Sequence, residues 1–247
     1  MKTFLKLISA TVLLGGLSLS CNKNDGYDMS MYYPNVLVTV KNVPDGTCFL
    51  QLDDKTTLKP VNLSKSPFGK KEVRALANVL KVRDDASPYN QAVKVNWIDS
   101  IRTKALVQTA GTDNDKIFGT APLEIVNNWI TIVEDGYLTI CFYGIWGRTG
   151  KVHYVNLLTG TNPEDPYELE LRHNANGDVS GYGEKATGLI AFNLRSLPDT
   201  QGKTVKLKIK YSSFSGTKTV SFDYVTGKTK IIANLPDAAL HGRALVR

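Results

Sequence analysis

Runs of apolar and β-branched residues, broken by turn signals, recur from Asn35 onward and predict strands with little helical periodicity. Asn35–Val40 and Thr47–Leu52 flank the turn Pro44-Asp45-Gly46, and Thr56–Val61 follows Asp53-Asp54-Lys55. Glu72–Arg83 is a longer run with imperfect alternation, for which a helix over Glu72–Val82 is the competing reading. Tyr89–Ile101 gives a fifth strand, enough for a small barrel. Polar Gly111–Lys116 marks a domain boundary, and the pattern then restarts. Asn128–Val133 and Tyr137–Tyr143 flank Glu134-Asp135-Gly136, a hairpin connection containing Asp-Gly. Lys151–Leu158, Tyr167–His173, Thr187–Leu194, Thr204–Tyr211 and Lys218–Val225 complete the set. In Thr204–Tyr211, period 2 sends Val205, Leu207, Ile209 and Tyr211 inward and Lys206, Lys208 and Lys210 to water. About seven strands in roughly 110 residues predict a β-sandwich. The expected fold is all-β, with a five-stranded barrel over 33–110 and a sandwich over 117–226. Residues 227–247 break the pattern and form a tail of unassigned structure.

The N-terminus follows a different rule. Lys2 and Lys6 precede an apolar stretch, Leu7–Leu19, which is too short for the ~20 residues a bilayer core requires. It matches a secretory signal over 1–20. Ser18-Leu19-Ser20-Cys21 resembles a lipobox, with Ser18 where an aliphatic residue is usual. Cys21 is therefore the expected lipidation site, and the membrane is the expected partner through that anchor. Two or three acyl chains hold a protein stably where one does not. Polar residues 21–32 read as the lipidated tether.

Cysteine count and charge change meaning once the signal is set aside. Of three cysteines, Cys48 and Cys141 remain for the folded domains. They read as two buried thiols packing as small hydrophobes, with a disulfide between them as the alternative. The formal charge of +7 falls to +5 without Lys2 and Lys6. It divides into +3 on 22–116, −1 on 117–226 and +3 on the tail. This is a modest excess and no broad surface for an anionic ligand.

Candidate chemistry is sparse. Asn174, Asn176 and Asp178 stand two apart, but two are neutral amides beside Gly177, so a tight turn is expected rather than a calcium loop. His153, His173 and His241 have no partner at metal-ligand spacing and read as strand or surface histidines. The acidic pairs Asp53-Asp54, Asp84-Asp85 and Glu134-Asp135 lie at turns. There is no Gly-x-Ser-x-Gly elbow and no phosphate-cradling glycine motif. Lys59, Lys65, Lys70, Lys71 and Arg74 cluster in sequence, but aromatics for stacking single strands are few, chiefly Phe68. A solvated basic loop is expected there, and no nucleic-acid partner. Gly144-Ile145-Trp146-Gly147-Arg148 places an aromatic and a cation between glycines. Trp146 and Arg148 form a possible binding loop, with a Trp capping the sandwich as the alternative.

Four stretches carry a resemblance when taken in order: Cys21–Tyr27, Phe49–Leu58, Tyr89–Ile98 and Leu169–Asp178. The layout resembles the NigD-like family of Bacteroidetes lipoproteins. The resemblance implies an OB-like domain and a β-sandwich behind a lipidated cysteine. Lys55 departs from the glycine more usual after the Asp pair, and the tail has no counterpart. The resemblance implies an architecture and an address, without a reaction. The expectation is a non-enzymatic lipoprotein of the cell envelope, anchored to the outer membrane, with a protein or glycan partner and no cofactor. A bacteriocin-associated immunity or export factor is the first alternative, and an unrecognised envelope hydrolase the second.

Overall fold

The computed structural model describes residues 33–178 and 183–227. The signal, Cys21, the tether, His241 and the tail beyond Gly227 lie outside the described residues.

Five strands close the first domain: β1 (Val36–Asn42), β2 (Cys48–Gln51), β3 (Thr57–Pro60), β4 (Val73–Lys81) and β5 (Gln91–Ser100). They close in the order β1-β2-β3-β5-β4, with only β3 and β5 parallel. Val36, Val38, Val40, Cys48, Leu50, Leu58, Ala75, Ala77, Val93 and Val95 fill the barrel.

The second domain starts earlier than its sequence suggests. Residues 102–110 were expected in the barrel, yet β6 (Arg102–Ala105) and β7 (Val107–Gln108) belong to the sandwich. β6 pairs in parallel with β13 (Glu184–Asn193), and β7 in parallel with β11 (Tyr154–Thr159). The domains therefore meet at Ile101, with almost no linker. Gly111–Lys116, expected as a boundary, forms a 3-10 turn and enters the short helix α1 (Asn114–Phe118). The buried Asn114 side chain accepts from Ala110 N–H and folds this polar stretch onto the sandwich.

One sheet runs β6-β13-β10-β8, with β9 also paired to β10; here β8 is Glu124–Ile125, β9 Ile132–Glu134 and β10 Tyr137–Trp146. The other runs β15-β14-β12-β11-β7, where β12 is Glu168–Asn174, β14 Val205–Ser213 and β15 Gly216–Tyr224. Leu138, Ile140, Phe142, Ile190 and Phe192 from the first sheet share one core with Val155, Leu157, Leu169, Leu171, Leu207 and Ile209 from the second. The fold is all-β, a closed barrel followed by a sandwich. Asp135 and Gly136 both take positive φ (48° and 75°) at the β9–β10 hairpin, as a type I′ turn requires. β9 is shorter than expected, because Asn128 Oδ1 accepts from the N–H groups of Ile130 and Thr131 and holds that segment in a turn.

The imperfect alternation of Glu72–Arg83 has a structural cause. β4 is buried on both faces: Ala75 and Ala77 face the barrel core, and Leu76 joins a second cluster with Leu37, Ile101, Ile130, Cys141 and Ala191. That cluster is the seam between barrel and sandwich. A strand covered on both sides reads as a continuous apolar run, which imitates a helix. Cys48 lies in the barrel core and Cys141 in the seam; both are free thiols, so the disulfide alternative does not hold.

Candidate functional site

Two polar arrangements stand out against these apolar cores. The first crosses the seam. Arg74 is 0% exposed, although its sequence neighbours suggested a basic surface loop. It leaves that cluster because β4 alternation turns it toward the sandwich. Its guanidinium donates to Glu134 Oε2 (2.6 Å), to Thr39 Oγ1 (2.9 Å) and, through Nε, to Thr139 Oγ1 (3.4 Å). Burial pushes the Glu134 carboxyl up, against the pull of Arg74. Around this pair, Lys41 Nζ donates to Asp135 Oδ1 (2.8 Å), while Tyr137 Oη–H (2.6 Å) and Arg195 Nη2–H (2.5 Å) both donate to Glu72 Oε1. Glu134 and Asp135 thus each take their own cation from the barrel, Arg74 of β4 and Lys41 of β1.

The second arrangement lies at the end of the sandwich core. In β12 the inward positions Leu169 and Leu171 continue to His173, and in β11 Val155 and Leu157 are preceded by His153. Val155 pairs with His173, so His153 is the diagonal neighbour on the same face. His153 Nδ1 and His173 Nε2 are 2.8 Å apart. His153 Nε2 lies 3.1 Å from Asp178 Oδ2, and His173 Nδ1 lies 3.3 Å from the Pro122 carbonyl oxygen. Asp178 Oδ1 accepts from Thr149 N–H, and the Asp178 carbonyl accepts from Gly147 N–H. The Trp146 ring stacks on His153 with centroids 4.3 Å apart and planes 14° from parallel.

Three contacts in this chain each take one proton: Asp178–His153, His153–His173 and His173–Pro122. Burial and the charge on His153 push His173 down to about 4. Burial raises Asp178, but its hydrogen bonds to Thr149 and His153 outweigh this and hold it below the usual carboxylate range. Asp–His–His order resembles a catalytic relay, yet His153 is 0% and His173 2% exposed. Their nitrogens face one another and Asp178, which leaves no common point for a cation. Among the described residues, no group of three or more His, Cys, Asp or Glu is disposed to hold a metal ion.

Sequence reading had these residues apart. His153 and His173 were expected as separate strand or surface histidines, and Asp178 as part of a turn. The turn is present, with Asn176 and Gly177 at positive φ, but it also delivers Asp178 into the core. The overlooked signal is that each histidine extends the inward alternation of its strand by one step. Trp146 and Arg148 go to different environments. Trp146 is half-buried against the histidines and Phe142, whereas Arg148 is exposed, at φ 60°, and paired with Glu184. Among the described residues, no helix is long and apolar enough to cross a membrane.

Comparison with known proteins agrees with this two-domain layout. The family model for the NigD-like N-terminal OB domain matches residues 37–101, and that for the NigD-like C-terminal beta sandwich domain matches residues 105–224. No match was found among curated proteins. A crystal structure from Parabacteroides distasonis, of a protein whose name relates it to a toxin, is 36% identical, with TM-score 0.66, covering 77% of this chain and 92% of that one. A NigD-like immunity protein from Bacteroides caccae is 19% identical, with TM-score 0.56, over 77% of this chain and 96% of the other. A Bacteroides fragilis protein named as a lipoprotein shares the fold at 14% identity and TM-score 0.51, over 76% and 95%. The two family matches follow one another along most of the described chain and divide it where barrel meets sandwich, and by them the chain belongs to the NigD-like family.

Proposed function

We propose that this chain is a non-enzymatic binding lipoprotein of the cell envelope, acylated at Cys21, anchored to the outer membrane and engaging a protein or glycan partner. The observation that carries the non-enzymatic part is the burial of the Asp178–His153–His173 chain. Its groups are spent on one another, Thr149 and Pro122, and Trp146 covers them, so they serve the sandwich rather than a substrate. The buried ion pair between β4 and β9 supports a binding role, because a fixed barrel–sandwich geometry presents a preorganised surface and lowers the entropy cost of association. The anchor rests on the lipobox-like run ending at Cys21.

Labelled palmitate should enter the wild-type protein and not Cys21→Ser; equal labelling refutes the anchor. Saturable turnover of an envelope substrate by purified protein, lost in His153→Ala, refutes the non-enzymatic reading. A second reading, an accessory to bacteriocin immunity, is favoured by the name of the Bacteroides caccae relative. Deleting the gene should then alter sensitivity to the relevant toxin, and unchanged sensitivity opposes it.

A further inference from the structure

Six large apolar side chains are exposed among the described residues, and three of them fall on one end of the barrel: Tyr33 (46%), Val61 (41%) and Leu80 (50%). The strand register brings them into a row. Leu80 pairs directly with Lys94. Pro60 pairs with Val93, and Val61 N–H donates to the Val93 carbonyl, so Val61 lies beside Lys94 on its other flank. β1 and β4 pair with Val36 opposite Ala77; beyond that pair the ladder slips, with Asn35 N–H donating to the Ala77 carbonyl and the Asn35 side chain bonded to the backbone of Val79, next to Leu80. Asn78 Nδ2 holds this approach by donating to the Tyr33 carbonyl (2.6 Å). The row therefore reads Val61, Lys94, Leu80, and Tyr33 approaches it beside Asn78.

Charge surrounds it. Lys81, Arg83 and Lys94 are exposed and Lys59 is half-buried, while Asp84 and Asp85 are the acidic residues of the adjoining 82–90 loop. The balance is cationic. Position matters as much as charge. The sandwich leaves the barrel from the far end of β5, at Ile101, seven residues beyond Lys94 or roughly 20 Å along a strand. Only eleven residues separate Cys21 from Tyr33, a reach of at most about 40 Å. The chain thus comes to the barrel at the apolar, cationic end, away from Ile101, while the sandwich flanks β4 from Glu72 to Leu76.

We infer that this end of the barrel, the row Val61–Lys94–Leu80 with Tyr33, Lys81 and Arg83, rests on the anionic headgroups of the membrane that carries the lipid anchor. The inference depends on the proposed acylation of Cys21. Aliphatic and tyrosine side chains enter the headgroup boundary while lysine and arginine meet its phosphates. The tether raises the effective concentration of a contact too weak to act alone.

The test uses full-length protein carrying Leu80→Cys, labelled with an environment-sensitive fluorophore; buried Cys48 and Cys141 stay unlabelled in the folded protein. Ser196→Cys, exposed and next to Arg195, which pairs with Glu72 at the other end of β4, is the comparison. Intact mass first establishes acylation, and the protein is incorporated into vesicles of phosphatidylethanolamine and phosphatidylglycerol. The expected result is a blue shift at position 80 and a roughly two-fold drop in its quenching by iodide, with position 196 unchanged. Lys81→Glu with Lys94→Glu should reverse the effect at unchanged mass. Acylated protein whose position 80 is quenched as freely as position 196 overturns the inference and leaves the anchor standing. Absence of the acyl mass overturns the anchor, and this inference with it.

Discussion

Lowering the pH should destabilise the protein through His173 well before its carboxylates titrate. Burial and the charge on His153 bring this imidazole from 6.5 to about 4 in the folded state. The unfolded chain therefore takes up the proton first. Stability is full above pH 6.5, falls as the pH drops from 6.5 to about 4, and levels off below that. At 1.36 kcal/mol per unit, the loss is about 3 kcal/mol. His173 is almost wholly buried, so solvent screens little of it. Glu72 and Asp178 are held low and lose stability too, but only as the pH falls below the ordinary carboxylate range. Glu134 works with the opposite sign, because its raised folded value makes protonation favour the folded state. Comparing wild type with His173→Gln cancels Glu72 and Glu134, which lie outside the histidine chain, and Asp178 is held below the range compared. Urea unfolding, followed by tryptophan fluorescence at several pH values between 7 and 4, measures both proteins. The variant starts about 1–3 kcal/mol less stable from its lost hydrogen bonds. The decisive quantity is the slope. Wild type should lose about 3 kcal/mol more than His173→Gln over this range. Parallel curves would refute the assignment of a buried, neutral His173.

Glu134→Ala leaves Arg74 buried without its partner and should cost about 3–5 kcal/mol in urea unfolding, whereas the double change Arg74→Met with Glu134→Leu should recover most of it; equal losses in both would show that the pair does not hold the seam. Gly119→Ala should cost about 2–4 kcal/mol, since Gly119 has φ 76° and ψ 173° and an added Cβ would lie 2.6 Å from Asn174 Cα. Gly46→Ala, also at positive φ but in open space, should cost about 1 kcal/mol; matching melting temperatures for the two variants would oppose this account. In Cys21→Ser protein, Cys48 and Cys141 should resist a thiol reagent until denaturant is added, because burial raises both thiols; rapid labelling of the folded protein would contradict their placement.

Much of the barrel was legible because its strands are punctuated by turns whose chemistry is local. Pro44-Asp45-Gly46 and Asp53-Asp54-Lys55 bound β2, and Asp135-Gly136 sets the β9–β10 hairpin, through contacts within a few residues. The clean alternation of Thr204–Tyr211 was legible for a similar reason: one face of β14 is buried and the other meets water. The candidate site was not legible, because its members meet only through pairing. His153 and His173 stand 20 residues apart, and Arg74 and Glu134 stand 60 apart. Arg74 misled most, since basic neighbours implied solvent while β4 alternation turned it inward.

The chain by itself determined strand content, turn positions, the order of barrel and sandwich, and the lipobox-like run at Cys21, since each depends on side chains close in sequence. Tertiary structure decided that the sandwich begins at Arg102, because β6 and β7 have no local signal and exist only by pairing with β13 and β11. It also decided which strands are covered on both faces, and that Asp178 closes a buried charge chain rather than a solvent turn. Those outcomes depend on desolvation, which a residue acquires only from what packs over it.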